Sequence, residues 1–125
     1  MRVRGIELDE VVDVPELREI YERICDSFAI MFEYDNGRPA LLVNVFLDDF
    51  SVSFYPFGSI SDTEGSYIIR KLKFFLGACF PNIELYAWIK DNDNRTQRLA
   101  KFLGFEELVR DNPYIVFVKE RLLNG

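Results

Sequence analysis

Leu85-Tyr86-Ala87-Trp88-Ile89-Lys90-Asp91-Asn92-Asp93-Asn94-Arg95-Thr96-Gln97-Arg98-Leu99-Ala100-Lys101-Phe102-Leu103-Gly104-Phe105 reads as a strand, a polar loop, an amphipathic helix and a glycine stop. Ile83, Leu85, Ala87 and Ile89 alternate as one face of the strand, with Tyr86 and Trp88 on the other. The Asp/Asn loop can cap a helix, and the helix carries Leu99, Phe102 and Leu103 on one face. Gly104 stands where a left-handed residue closes a helix, and Phe105 can fold back on the last turn.

Upstream, Val3 to Leu8 is expected as a first strand. Asp13 then caps a helix, with Pro15 in its first turn and Glu16 three residues after the cap. Leu17, Ile20, Ile24 and Phe28 follow helical spacing, and Arg18, Glu19, Glu22 and Arg23 face water. Ala29 to Tyr34 is the next strand, and Asp35-Asn36-Gly37 is a hairpin turn because Asn and Gly tolerate positive φ. Ala40 to Leu47 is almost continuously apolar, which predicts burial on both faces and a central place in the sheet. After Asp48-Asp49, Phe50 to Tyr55 alternates with a period of two.

The polar loop Pro56 to Glu64 leads into a helix from Gly65 or Ser66 to about Phe80, with Asp62 read as its N-cap. Ile68, Ile69, Leu72, Phe75, Leu76 and Cys79 form its apolar face. Glu106 to Arg110 and Tyr114 to Lys119 pair as a last hairpin around Asp111-Asn112-Pro113. The order is β-α-β-β-β-α-β-α-β-β, an α+β chain with a mixed, mostly antiparallel sheet between helical layers.

At 125 residues the chain suits a single domain with one core, and 49% hydrophobic residues with 12 Phe predict a packed globule. The net charge of −6 argues against a nucleic-acid partner, because phosphate affinity rests on Lys and Arg. His is absent, which removes Ser-His and Cys-His catalysis and argues against a zinc or other metal site. Cys25 and Cys79 each fall on the apolar face of an expected helix and read as buried free thiols. Met1-Arg2-Val3-Arg4 leads into acidic residues instead of a signal sequence, and no apolar run approaches the roughly 20 residues of a membrane helix. A soluble protein of a reducing compartment, the cytoplasm, is expected.

The element order, with an asparagine-led helix ending in Leu103-Gly104-Phe105, resembles the GNAT superfamily of N-acetyltransferases. The resemblance covers the chain by element order and Asn92 to Phe105 by residue type. It implies acetyl-CoA as cofactor, lying where the strand Phe50 to Tyr55 splays from the strand Ile83 to Ile89. The pyrophosphate would meet the backbone N–H groups of Thr63, Glu64, Gly65 and Ser66, with Asn94 also at a cofactor-binding position.

Several residues depart from that pattern. With Gly65 at the last position of the family's phosphate loop, Ile60 replaces Arg or Gln and Thr63 replaces the first glycine. Asp62 and Glu64 add negative charge. At about 6 Å from a phosphate each costs roughly 0.7 kcal/mol with water-like screening, or nearly 3 at an effective dielectric of 20. A helix N-terminus returns only about 0.3–2 kcal/mol. Ala100 stands at the position of the family's proton-donating tyrosine, and Asp93, flanked by Asn92 and Asn94, at that of its asparagine. Tyr55, Glu84 and Tyr86 are the candidates for proton transfer, by position alone.

Two functions are therefore weighed. One is a divergent acetyltransferase-like protein with a degenerate acetyl-CoA site and weak or no catalysis. The pattern from Tyr86 to Gly104 is also similar to small GNAT-like proteins of tailed bacteriophages with internal-virion or head-assembly roles. That implies a protein partner or self-association, a surface such as Tyr55, Phe57 and Tyr67, no cofactor, and a virion location. The alternative is an active acetyl-CoA-dependent N-acetyltransferase acting on an unknown amine.

Overall fold

The computed structural model describes residues 1–5 and 27–120. They group into two compact units, Met1–Ile60 and Ser61–Gly125. The helix expected from Asp13, residues 6–8 of the first strand, and Cys25 lie outside the described residues.

In the first unit, β1 (Arg2–Gly5), β2 (Ser27–Glu33), β3 (Pro39–Phe46) and β4 (Val52–Pro56) form an antiparallel sheet in that order. β3 is internal, and every residue from Ala40 to Phe46 is buried, Asn44 included, as its almost continuous apolar run predicts, but Leu47, expected as the last residue of that run, is exposed in the turn that follows. On one face Met31 pairs with Leu42, and Leu42 with Tyr55. Met31, Leu42 and Phe46 form a cluster there, with Ala29, Tyr55 and Phe57 packed against it. On the other face Phe32, Leu41, Val43, Val45 and Val52 are buried. Arg2 lies opposite Glu33 and donates its Nε to that largely buried carboxylate at 3.1 Å.

The hairpin at Asp35-Asn36-Gly37 forms as expected. Gly37 donates its N–H to Tyr34 O at 2.9 Å and takes φ 85°, and Tyr34 N closes on Arg38 O at 2.9 Å. Neither Asp35 nor Asn36 has positive φ, so the turn is a type I turn followed by a left-handed glycine. The next turn departs from the sequence reading. Phe50, expected to begin a strand, has φ 55° and sits in the turn. Asp49 Oδ1 accepts from both the N–H and the hydroxyl of Ser51, which holds the chain in that turn and delays β4 to Val52. Phe28, assigned to a helical stripe, is an exposed residue of β2.

In the second unit, α1 (Asp62–Cys79) precedes β5 (Leu85–Lys90), α2 (Asn94–Phe102), β6 (Glu106–Asp111) and β7 (Tyr114–Lys119). The three strands form an antiparallel sheet with β7 in the middle, order β5-β7-β6. Leu85, Ala87 and Ile89 pair with Lys119, Phe117 and Ile115, so the alternating face of β5 meets its counterpart on β7. All five apolar members of that row are buried, whereas Trp88 is exposed and meets the Tyr114 ring edge-on at 6.3 Å. From β2 onward the element order is the one read from the sequence, and the α+β class is observed, but the described strands pair only antiparallel and in two sheets, where one mixed sheet was expected.

The helices bury narrower stripes than expected. In α1 the buried residues are Ile68, Leu72 and Leu76, spaced four apart. Cys79 is a free but exposed thiol, against the expectation of burial. Phe80 occupies the apolar position at that end: it is buried, packs edge-on against Phe75 at 6.3 Å, and donates its N–H to Leu76 O. In α2 the buried positions are Thr96 and Ala100, followed by Leu103, while Phe102 is 55% exposed. The expected face of Leu99, Phe102 and Leu103 is thus rotated toward the small residues.

Candidate functional site

The end of α2 is built as its sequence requires. Leu103 is the C-cap and Gly104 takes φ 97°. Gly104 N–H donates to Lys101 O at 3.1 Å and Phe105 N–H to Ala100 O at 3.0 Å, the paired bonds of a Schellman closure. Ala100 and Phe105 are both buried, so the closing aromatic returns to the last turn. Ala100, at the position where the resemblance expects a tyrosine, is fully buried and belongs to the packed face.

The start of α2 is held by Asp93, whose carboxylate accepts from Thr96 N at 3.1 Å. The Asp is therefore the cap, and Asn94 follows it as an exposed first helical residue. Gln97, which sequence reasoning missed, ties the loop down. Its side-chain amide donates to Lys90 O at 2.9 Å and Asp91 O at 3.1 Å. No local pattern marks that role, because it depends on the loop curling back to the first turn.

The start of α1 differs from the reading. Ser61, not Asp62, is the N-cap, and the helix begins a turn earlier than Gly65. Ser61 Oγ accepts from Glu64 N at 3.2 Å, and Glu64 Oε1 accepts from Ser61 N at 3.0 Å. The signal was present: Ser61-Asp62-Thr63-Glu64 is the S-x-x-E pattern of a capping box. Thr63, Glu64, Gly65 and Ser66 therefore lie on the first turns of α1. Two donors at this terminus are occupied by the box, and Gly65 N already makes the first intrahelical bond to Ser61 O at 2.8 Å. The acidic side chains of Asp62 and Glu64 both stand in this first turn.

Of the three proton-transfer candidates, the structure joins two. Tyr86 OH donates to Glu84 Oε2 at 2.8 Å. That hydrogen bond, reinforced by the carboxylate's charge, holds the phenol above its ordinary value. The pair is solvent-facing, and its arrangement keeps Tyr86 protonated, a poor base with a proton to share. Tyr55 belongs to the first unit, where it meets Phe57 edge-on at 5.0 Å. Tyr55 and Phe57, offered as a partner surface, are half-buried against the Met31 cluster. Tyr67 is half-buried and carries Lys71 and Arg70 over its ring at 5.5 and 6.0 Å.

Among the described residues no helix is long and apolar enough to cross a membrane, and no three His, Cys, Asp or Glu side chains gather as a metal site.

Solved N-acetyltransferases share this fold. The Campylobacter jejuni N-acetyltransferase PseH is 7% identical, with 97% of this chain matched to 98% of that one at a TM-score of 0.66. The aminoglycoside acetyltransferase AAC(6')-Ib, solved with coenzyme A and kanamycin, is 13% identical, with 95% and 94% covered and a TM-score of 0.65. An acetyltransferase from Agrobacterium tumefaciens is 10% identical, with 95% and 90% covered and a TM-score of 0.64. No protein-family model matches the sequence, and no curated protein is similar to it at a significant level. At these identities the likeness shows a shared fold and does not assign a reaction.

Proposed function

We propose that this chain is an acetyltransferase-like protein with a degenerate acetyl-CoA site and weak or no catalysis. The observation that supports this reading is the capping box at the start of α1. The helix terminus that would receive a pyrophosphate uses Glu64 to satisfy its own cap, and so places a carboxylate among the donors. A phosphate there meets like charge, worth nearly 3 kcal/mol at about 6 Å and an effective dielectric of 20, against about 2 at most from the helix end. The alanine at position 100, buried in the packed face, supplies no acid for a leaving thiolate. The phage-like resemblance read between Tyr86 and Gly104 extends the proposal to a binding or assembly role, with a protein partner or a second copy as the ligand.

Calorimetry with acetyl-CoA tests the reading. The expected result is no saturable heat at millimolar cofactor for the native chain, with detectable binding gained by Glu64→Gln, which keeps a side-chain acceptor for the Ser61 N–H and removes the charge. Micromolar binding by the native chain, with turnover of an amine acceptor, would establish an active N-acetyltransferase instead.

A further inference from the structure

The second unit holds a cleft of about 610 Å³ at the C-terminal ends of its two helices. Three lysines line it: Lys73 on α1, Lys101 on α2 and Lys119 at the end of β7. They come from three separate elements, so tertiary folding, and not a local charge run, places all three on the lining of one cleft. No salt bridge, hydrogen bond or ring contact engages any of the three side chains among the described residues.

Their charge is not needed to close α2, because the carbonyls of Leu99, Ala100 and Lys101 already accept from the backbone of Leu103, Gly104 and Phe105. Glu106 and Glu120 also line the cleft, so three lysines against two glutamates leave one positive charge. That surplus sits on a chain of net charge −6. The walls are also apolar: the exposed Phe102 ring and Val118 line the same space. Gly77 and Gly104 contribute walls without side chains. The volume falls within the range of small-molecule sites.

We propose that this cleft binds a small amphipathic anion, a carboxylate or sulfonate on a short apolar body. The anionic head meets Lys73, Lys101 and Lys119, and the apolar body lies against Phe102 and Val118. The single surplus charge matches a monoanion better than a polyphosphate. Lys73 lies eleven residues into α1 from Asp62, about 16 Å along the axis at 1.5 Å per residue, so the cleft is separate from the capping-box end.

Octanoate is the probe, titrated into the full-length protein while backbone amide shifts are followed by NMR. The expected result is saturable shifts confined to the ends of α1 and α2 and to the Glu106 and Lys119 ends of the last two strands, with octylammonium and inorganic phosphate at least tenfold weaker. Lys101→Gln and Lys119→Gln should each weaken octanoate about threefold, and together about tenfold, the size of exposed ion pairs. Phe102→Ala, at an exposed ring, supplies a second variant that tests the apolar wall and should also weaken octanoate. Equal affinity in the lysine double variant and in Phe102→Ala, shifts centred on Ser61 to Ser66, or no saturation at millimolar octanoate overturns the proposal. Because the shifts are read residue by residue, failure here is distinct from any result for acetyl-CoA at the other end of α1.

Discussion

The two helix ends that the resemblance singles out are built on opposite principles. The C-terminus of α2 follows the expected pattern through its Leu103-Gly104-Phe105 closure: φ 97° at Gly104, paired backbone bonds and a buried Phe105. The N-terminus of α1 keeps its place in the element order but commits two of its donors, the Ser61 and Glu64 N–H groups, to its own capping box. One end shapes the chain. The other, in the acetyltransferase pattern, would hold a ligand. Packing and backbone conformation constrain the first tightly, since Phe105 is buried and Gly104 holds a left-handed φ. Nothing in packing prevents an exposed first turn from exchanging anion binding for a stronger cap.

The largest expected effect lies at the α2 end. Phe105→Ala should cost about 3–5 kcal/mol in urea unfolding, because the ring is 2% exposed and its removal leaves a cavity. A loss below about 1 kcal/mol would mean that the returning aromatic does not anchor the closure. Next comes Gly104→Ala. The nearest atom to an added Cβ is Lys119 Cε at 3.9 Å, so space is not the difficulty. The left-handed backbone should still cost about 1–2 kcal/mol, read as a lowered Tm.

At the α1 end, Ser61→Ala should cost about 1 kcal/mol through loss of the cap. A double-mutant cycle with Glu64→Ala should show coupling, because each side chain serves the other's backbone. If the two losses simply add, the box is not a unit and the contrast between the ends weakens.

The smallest effect concerns Tyr86. Its phenol is held above the ordinary value, mainly by the hydrogen bond to Glu84 and then by the carboxylate's charge. Glu84→Gln should move the phenolate absorbance transition to lower pH. The sign for stability follows: the raised value favours the folded protein below the ordinary phenol range, and this contribution is lost as pH rises through the folded-state value. An unchanged transition would remove Glu84 as the cause.

Much of this was legible locally. The Gly37 turn, the apolar run of β3 and the Gly104 stop each carry their instruction within a few residues and form where expected, although Asn36 keeps a negative φ and Leu47 falls outside the strand. The start of α1 was legible too, in the S-x-x-E spacing of Ser61-Asp62-Thr63-Glu64: a cap at Asp62 is one residue late, and a start at Gly65 misses the first turn. Phe50 misleads for a different reason. Its alternation with Val52 and Phe54 suggests a strand, yet Asp49 captures Ser51 and leaves Phe50 in the left-handed region. The candidate site divides likewise: Glu84, just before β5, and Tyr86, two residues on, meet as an extended chain allows, whereas Gln97 acts across a loop whose path no spacing reveals.

By itself the sequence determined the α+β class, the element order from β2 onward, the closure of α2 and the place of the Gly37 hairpin, because these follow from periodicity, φ preferences and capping within short windows. Tertiary structure alone decided that β7 lies between β5 and β6, that Phe80 and not Cys79 is buried, that α2 buries Ala100 and leaves Phe102 exposed, and that Lys73, Lys101 and Lys119 face one cleft. Each of those outcomes is a choice among distant partners, settled by which surfaces leave water together, and short-range periodicity carries no information about it.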